Sequence, residues 1–131
     1  GLDGADPRVA IAAMQAMNAS VRNAVFAPVF FGTPAVLILT TVVFFLNAQR
    51  VAALWFGAAA LIVAFMAILL TAQVHIPMNE ALAVVDIPTD RAAAQEIWDA
   101  YSPRWQLWNQ IRTFTSGLGL LCVGIGITKL A

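Results

Sequence analysis

Two long runs without a charged residue, at positions 28–47 and 51–73, constrain this chain more than any other feature. Each run has about the 20 apolar residues that an α-helix needs to cross the hydrocarbon core of a membrane. Only Ala48, Gln49 and Arg50 separate the runs, so the pattern predicts an antiparallel helical hairpin. Neither run has the continuous polar face that a pair of helices in a water-soluble protein would show. The sequence therefore predicts an integral membrane protein.

The composition agrees with this prediction and excludes several functions. Hydrophobic residues make up 61% of the chain and charged residues 11%, whereas a soluble domain carries roughly 25% charged residues. The formal net charge is zero and no basic run is present, so nucleic acid is not expected as a partner. Cys122, the only cysteine, lies in an apolar run, which excludes an intrachain disulfide and a thiolate metal cluster. The lipid bilayer is the predicted partner, and the expected location is a bacterial inner or plasma membrane.

The N-terminal part predicts a helix outside the hydrocarbon. Asp6 followed by Pro7 is typical of a helix start. Apolar residues then recur at helical spacing as far as Val25, which predicts an amphipathic helix at the interface or docked on the bundle. The chain starts without a methionine, so we expect it to begin inside a longer product or after cleavage.

Prolines divide the second half of the chain. Pro77 removes a backbone donor and predicts a break or a kink at the end of the second span. Thr89 is the predicted N-cap of a surface helix at positions 90–101, and Ser102 with Pro103 is the predicted cap of the last helix. We predict an all-α membrane bundle, one domain over residues 1–131, with spans at about 28–47, 51–73 and 111–129.

The last helix carries a polar stripe that continues as small residues. The side chains on this face follow a spacing of three and four, which places them on one side of a helix. Small residues allow a neighbouring helix to approach closely in lipid. We therefore predict that this face points at other helices; it comprises Trp105, Asn109, Arg112, Ser116, Gly119 and Val123.

Residues that can carry chemistry gather on one side of the predicted membrane, because span two runs toward the surface from which span three departs. Polar and ionisable groups at membrane depth are usually functional, and an aromatic-lined pocket closed by a few polar groups is a plausible ligand site. Arg22 lies on the same side. The candidate catalytic residues are His75, Glu80, Asn109 and Arg112, and the candidate substrate-binding residues are Asn18, Asn79, Trp105 and Trp108.

Each candidate also has a structural interpretation. The tryptophans are typical interfacial anchors, Arg112 can extend to lipid headgroups, and asparagines cross-link membrane helices. His75 and Glu80 offer two metal ligands, but Pro77 lies between them and disturbs helical spacing, so no metal site is predicted.

Three stretches resemble the anthrone oxygenase-like family of integral membrane domains, whose members largely have no assigned function. Residues 13–18 (AMQAMN) are similar to its early Met-Gln-x-Ile-Asn segment, and residues 76–79 (IPMN) to its Val-Pro-Leu-Asn turn. Residues 104–113 (RWQLWNQIRT) match its Arg-Trp-x-x-Trp-Asn-x-x-Arg-Thr signature. His75 stands where asparagine is common in the family.

The resemblance implies a four-helix membrane bundle, so one more span is expected before the amphipathic helix. It also implies oxidation of anthrones to anthraquinones by molecular oxygen, without a metal or organic cofactor. Most bacterial relatives have no assigned activity, so family membership alone does not decide the function.

Two classes of function remain open. The first is an anthrone-type monooxygenase with Arg112 and Asn109 stabilising an oxyanion, Trp105 or Trp108 stacking on a hydrophobic aromatic ligand, and His75 or Glu80 as base. The second is a non-catalytic accessory subunit of a membrane complex, or a homo-oligomer. In that case the glycines of the last span form a packing surface: Gly117, Gly119, Gly124 and Gly126. A quinone or lipid binder would use the same pocket without turnover.

Overall fold

A computed structural model describes residues 1–21 and 23–130, without the side chains of Ala27 and Ala67. Within these residues every regular element is helical, as predicted. A single 3₁₀ turn, Leu2–Gly4, precedes four helices. We number them α1 (Pro7–Ser20), α2 (Phe26–Leu46), α3 (Arg50–Ala83) and α4 (Arg91–Ile127).

Three of these helices are long and apolar enough to cross a membrane: α2 from Pro28 onward, α3 and α4. This confirms the predicted number of spans in the described residues. Most side chains of α2 are exposed although they are apolar, as expected for a helix whose outer face meets lipid.

Helix α1 begins as the sequence predicts. The Asp6 carboxylate accepts a hydrogen bond from the backbone nitrogen of Arg8 at 3.0 Å, and Pro7 occupies the first turn. Ile11 and Met14 are buried, whereas Met17, Val21 and Val25 are largely exposed. The amphipathic helix is therefore docked through its first half only, and it ends at Ser20, earlier than predicted.

The α2–α3 hairpin closes through a tight turn. Ala48 has a φ of 62°, in the left-handed region. The backbone nitrogen of Gln49 donates to the Phe44 carbonyl at 2.9 Å, and that of Ala48 donates to Phe45 at 3.2 Å. This is the paired bonding by which helices commonly end, with alanine in the position that usually holds glycine.

The helix does not break at Pro77, because α3 continues to Ala83, but its geometry is irregular directly before the proline. The helix begins in α-geometry over Arg50–Ile62, widens to π-helical turns over Val63–Leu69 and Thr71–His75, and returns to α-geometry over Ile76–Ala83. The backbone nitrogen of Ile76 donates to the Thr71 carbonyl, five residues back. A wider turn directly before Pro77 explains how the helix accommodates a residue that has no N–H and that crowds the preceding turn.

Helix α4 is also continuous, so the predicted surface helix at 90–101 and the last span form one element of 37 residues. Asp90, and not Thr89, caps it: the backbone nitrogen of Ala93 donates to the Asp90 carboxylate at 2.9 Å. Ser102 does not start a new helix, because its hydroxyl donates instead to the Asp3 carboxylate at 2.6 Å. Pro103 lies inside α4.

Two glycines set the approach of α4 to α3. A Cβ atom on Gly119 would lie 3.2 Å from Val63, and one on Gly126 would lie 2.8 Å from the Phe56 ring. The predicted inward face is therefore correct at Gly119. It is wrong at Ser116, which is exposed.

Apart from the packing of α3 on α4, a hydrophobic core lies where α1 packs on the N-terminal half of α4. Its members belong to α1, the end of α3 and the first turns of α4. We name this cluster the α1 core; it comprises Ala10, Ile11, Met14, Leu82, Ala94, Trp98 and Tyr101. Helix α4 is about 55 Å long at 1.5 Å per residue, against a hydrocarbon core of about 30 Å, so its N-terminal half can pack here beyond the lipid tails.

Candidate functional site

Asn79 joins α3 to α4 with one oxygen atom. Its Oδ1 accepts hydrogen bonds from the Tyr101 hydroxyl at 2.8 Å and from the Trp105 indole Nε1 at 3.1 Å. Tyr101 and Trp105 lie one turn apart on α4, so both reach the same amide. The end of the second span and the tryptophan-rich part of α4 therefore meet.

His75 lies one turn before Asn79, at the end of the π-helical stretch, and is 2% exposed. Its ring packs edge-on against Trp105, with 5.6 Å between the ring centroids. Neither Nδ1 nor Nε2 has a hydrogen-bond partner among the described residues. Because a neutral imidazole carries one donor and one acceptor, each unpaired nitrogen costs roughly 1–3 kcal/mol of desolvation.

Thr71, one turn before His75, has a buried hydroxyl oxygen that also lacks a described partner. The hydroxyls of Thr33, Thr40 and Thr41 in α2 each donate to the carbonyl four residues back. The sequence analysis did not single out Thr71, since a threonine in a membrane helix usually bonds its own backbone. Three unsatisfied polar atoms thus lie within two turns of the π-helical part of α3.

Arg112 and Asn109 form a pair one turn further along α4. The Arg112 Nη2 donates to Asn109 Oδ1 at 2.6 Å, and both side chains are half-buried. Arg112 lies two turns beyond Trp105 on α4, and Trp105 contacts the His75 ring. We name the assembly the polar centre; it comprises His75, Asn79, Tyr101, Trp105, Asn109 and Arg112.

The other candidates lie around the polar centre or apart from it. Asn18 and Glu80 line a cleft of about 580 Å³ between α1 and the end of α3, together with Asn79. Trp108 is half-buried, and none of the described ring contacts or hydrogen bonds joins it to the polar centre. Arg22 lies outside the described residues. A cavity shared by His75, Asn109 and Arg112 stays a prediction, since these residues line neither of the two cavities that we describe.

A contact that the sequence did not indicate holds the N-terminal turn on α4. The Asp3 carboxylate accepts hydrogen bonds from Trp98 Nε1 at 2.9 Å, Ser102 Oγ at 2.6 Å and Gln106 Nε2 at 2.5 Å. The donors from Ser102, Gln106 and Trp98 hold the pKa of Asp3 below its usual value. Asp3 and Trp98 are 95 positions apart, so no local pattern could have paired them.

This contact closes a second, smaller cavity of about 260 Å³. It borders the polar centre through Tyr101 and Trp105, and Met14, Met17 and Trp98 line it too. In residues 1–21 and 23–130 no group of three or more histidine, cysteine, aspartate or glutamate side chains is placed to hold a metal ion.

The fold and this arrangement define a class: a helical membrane protein with a polar, aromatic centre near one end of its spans. The family model for anthrone oxygenase matches residues 23–122, which include α2, α3 and most of α4. The chain belongs to the anthrone oxygenase family. Comparisons with curated proteins and with solved structures gave no match.

Proposed function

We propose that this protein oxygenates an anthrone-type aromatic ketone or phenol with molecular oxygen in the membrane. One observation carries the proposal beyond family membership. His75 is buried and packs against Trp105, with both ring nitrogens unpaired among the described residues. A buried polar group without a partner calls for an explanation such as a ligand or a catalytic role.

The reaction requires no electron donor other than the substrate. An anthrone carries a CH₂ group opposite its carbonyl, and loss of one proton gives an enolate delocalised over three rings. The enolate transfers one electron to O₂, and the two radicals combine at carbon to a peroxide anion, which takes back the proton from the base to give a hydroperoxide. Loss of water then forms the second carbonyl, so CH₂ and O₂ become C=O and H₂O.

The polar centre offers a group for each requirement. A neutral His75 has a lone pair that can accept the proton in a site shielded from water. The Arg112 guanidinium stabilises the enolate oxygen, and Asn109 positions that guanidinium through its 2.6 Å hydrogen bond. Trp105, held by Asn79, supplies an aromatic wall on which the flat substrate can stack.

Glu80 is the second candidate base. It lines the cleft between α1 and α3 beside Asn79, whereas His75 packs edge-on against Trp105 and is not among the lining residues of that cleft. Glu80 is exposed and His75 is buried, so His75 is the candidate that would act as a base shielded from water.

The test is turnover by the purified protein in lipid nanodiscs supplied with an anthrone and oxygen. We expect quinone formation with one O₂ consumed per quinone, and a fall of about 10²–10³ in rate for Arg112→Ala, since removal of one oxyanion donor has that effect. Asn109→Ala should lower the rate less, because Arg112 remains. Arg104→Ala and Gln110→Ala, exposed on the same helix, are the matched controls. Wild-type rates in both Arg112→Ala and Asn109→Ala would refute the proposed site.

The packing of the glycines bears on the alternative of an accessory subunit. Gly119 and Gly126 are buried against α3 of the same chain, whereas Gly117 and Gly124 have open space where a Cβ would stand. Half of the predicted partner surface is therefore used within the chain. A stoichiometric partner in native membranes, with no quinone formed, would support the subunit. Tight binding of a quinone without turnover would support the binder.

A further inference from the structure

Two amide side chains line the cleft between α1 and α3. In each, the hydrogen-bond partners determine which end is the carbonyl oxygen and which is the NH₂ group. Trp105 Nε1 carries a hydrogen and can only donate, so the Asn79 atom 3.1 Å away must be the carbonyl oxygen. The Tyr101 hydroxyl fills the other acceptor position of the same oxygen. The donor end of Asn79, its NH₂ group, is therefore the end that remains for the cleft.

Gln15 has the opposite arrangement. Its Nε2 donates to the backbone carbonyls of Leu82 at 2.9 Å and Val85 at 3.0 Å. Carbonyl oxygens can only accept, so this amide is also fixed, and both N–H groups are used. The acceptor end of Gln15, its carbonyl oxygen, is what remains for the cleft.

We propose that the cleft binds a flat, uncharged ligand that carries both a carbonyl oxygen and a hydroxyl group. Asn79 donates to the carbonyl, and Gln15 accepts from the hydroxyl. The cleft has a volume of about 580 Å³, within the roughly 300–1,000 Å³ of small-molecule sites. Ala19, Ala83 and Val84 supply apolar walls, and Asn18 and Glu80 are its other polar lining residues.

The position of the cleft links it to the proposed function. Asn79 belongs both to the cleft and to the polar centre, so a ligand bound there lies beside the polar centre, although His75, Asn109 and Arg112 do not line the cleft. Binding in the cleft would therefore precede the movement of the carbonyl oxygen to Arg112. The ligand is the substrate only if the proposed oxygenation is correct. The binding itself does not depend on turnover, so it is tested with compounds none of which carries both a CH₂ group and a carbonyl in its ring system.

Three analogues of one ring system separate the two hydrogen bonds. They are 2-hydroxy-9-fluorenone, its 2-methoxy ether, and 2-hydroxyfluorene, which lacks the carbonyl. Binding is measured by quenching of tryptophan fluorescence in nanodiscs, corrected with empty nanodiscs. We expect the hydroxy ketone to bind roughly three- to tenfold more tightly than either analogue, as one neutral hydrogen bond requires. Equal affinity for all three would overturn the proposal and indicate an occupant without this polar pair, such as a lipid ester.

Asn79→Asp tests the donor without removing the bonds that hold α4. The aspartate keeps an oxygen for Tyr101 and Trp105 but has no N–H, so the preference for the ketone over 2-hydroxyfluorene should disappear. Asn47→Asp, at the exposed end of α2, is the matched control and should retain it. A ketone preference that survives in Asn79→Asp would also overturn the proposal.

A second variant keeps the test decisive if Asn79→Asp does not fold. Ala83→Phe fills the cleft from an exposed position and leaves the Asn79 and Gln15 hydrogen bonds in place, so it should weaken binding of all three compounds at least tenfold. Unchanged binding in Ala83→Phe would place the ligand elsewhere. A wild-type protein that shows the predicted preferences but forms no quinone would refute only the oxygenase function.

Discussion

Single polar atoms decide how this apolar molecule is held together. The oxygen of Asn79 receives two donors from α4, and the carboxylate of Asp3 receives three. A buried Tyr hydroxyl or Trp N–H without a partner would each cost roughly 1–3 kcal/mol, so these acceptors stabilise the contact of α4 with its neighbours. His75, Thr71 and Asn18 are the exceptions, because each has a buried polar atom without a described partner.

The Asp3 contact should depend on pH. Donors from Ser102, Gln106 and Trp98 lower the pKa of Asp3 from its ordinary value of 3.8. A lowered carboxyl pKa stabilises the fold above the ordinary value, and this contribution is lost as the pH falls through the lower value of the folded state. We expect the Trp98 indole signal to shift below about pH 4 and the N-terminal turn to detach.

The control must separate the effect of protonating Asp3 from the effect of protonating its neighbour Asp6. Hydrogen bonds from Arg8 lower the pKa of Asp6 to about 2, so the cap of α1 titrates in the same range. In Asp3→Ala the Trp98 indole should already show the detached signal at neutral pH, with no further change down to pH 3. A Trp98 signal in Asp3→Ala that equals the wild type at neutral pH would contradict the assignment.

Helices α3 and α4 both continue through a proline, although apolar length and the prolines together predicted shorter elements. Apolar length predicted that both exist, and the capping pattern predicted the start of α1, because these signals are local. Whether a helix continues through a proline depends on the geometry of the preceding turn, which the local sequence pattern does not show. The π-helical turn before Pro77 accommodates that proline, and Pro103 lies inside α4; neither feature is visible in a pattern of apolar residues.

The close packing of α3 on α4 predicts opposite effects for two glycines of α4. Gly126→Ala places a Cβ 2.8 Å from the Phe56 ring, which is 7% exposed and cannot move freely. We expect it to lower the free energy of unfolding by about 1–3 kcal/mol, as overpacking usually does. Gly124→Ala meets nothing within 4 Å and should raise it by up to about 1 kcal/mol through helix propensity.

Unfolding by denaturing detergent, followed by circular dichroism, measures this pair. Both variants add the same methyl group to one helix, two positions apart, so differences in expression or lipid contact are small. Equal stabilities of Gly126→Ala and Gly124→Ala would show that α4 does not approach α3 as closely as described.

The molecule as a whole combines an apolar body with a polar region near one end. His75 lies about 12 Å from the end of α3 at 1.5 Å per residue, so the polar centre lies toward one end of the spans. The α1 core covers the region from the aqueous side through Met14, Leu82 and Tyr101.

The sequence indicated most of the residues of the polar centre but not their arrangement. The motifs at 76–79 and 104–113 are at the ends of two spans, so chain direction alone brings them to one side of the membrane. Which face of α4 meets α3 depends on the approach at Gly119 and Gly126 and on the continuity of α4. Tyr101 was missed for this reason, although it lies one turn before Trp105 and so shares its face.

The most direct test of a catalytic polar centre is turnover of an anthrone by His75→Phe in nanodiscs. Phenylalanine keeps a planar ring against Trp105 and removes both unpaired nitrogens, so the variant should unfold at least as high in temperature as the wild type. We predict that quinone formation falls by about 10²–10⁴, the usual contribution of a general base. A folded His75→Phe protein that forms quinone at the wild-type rate would contradict catalysis by His75.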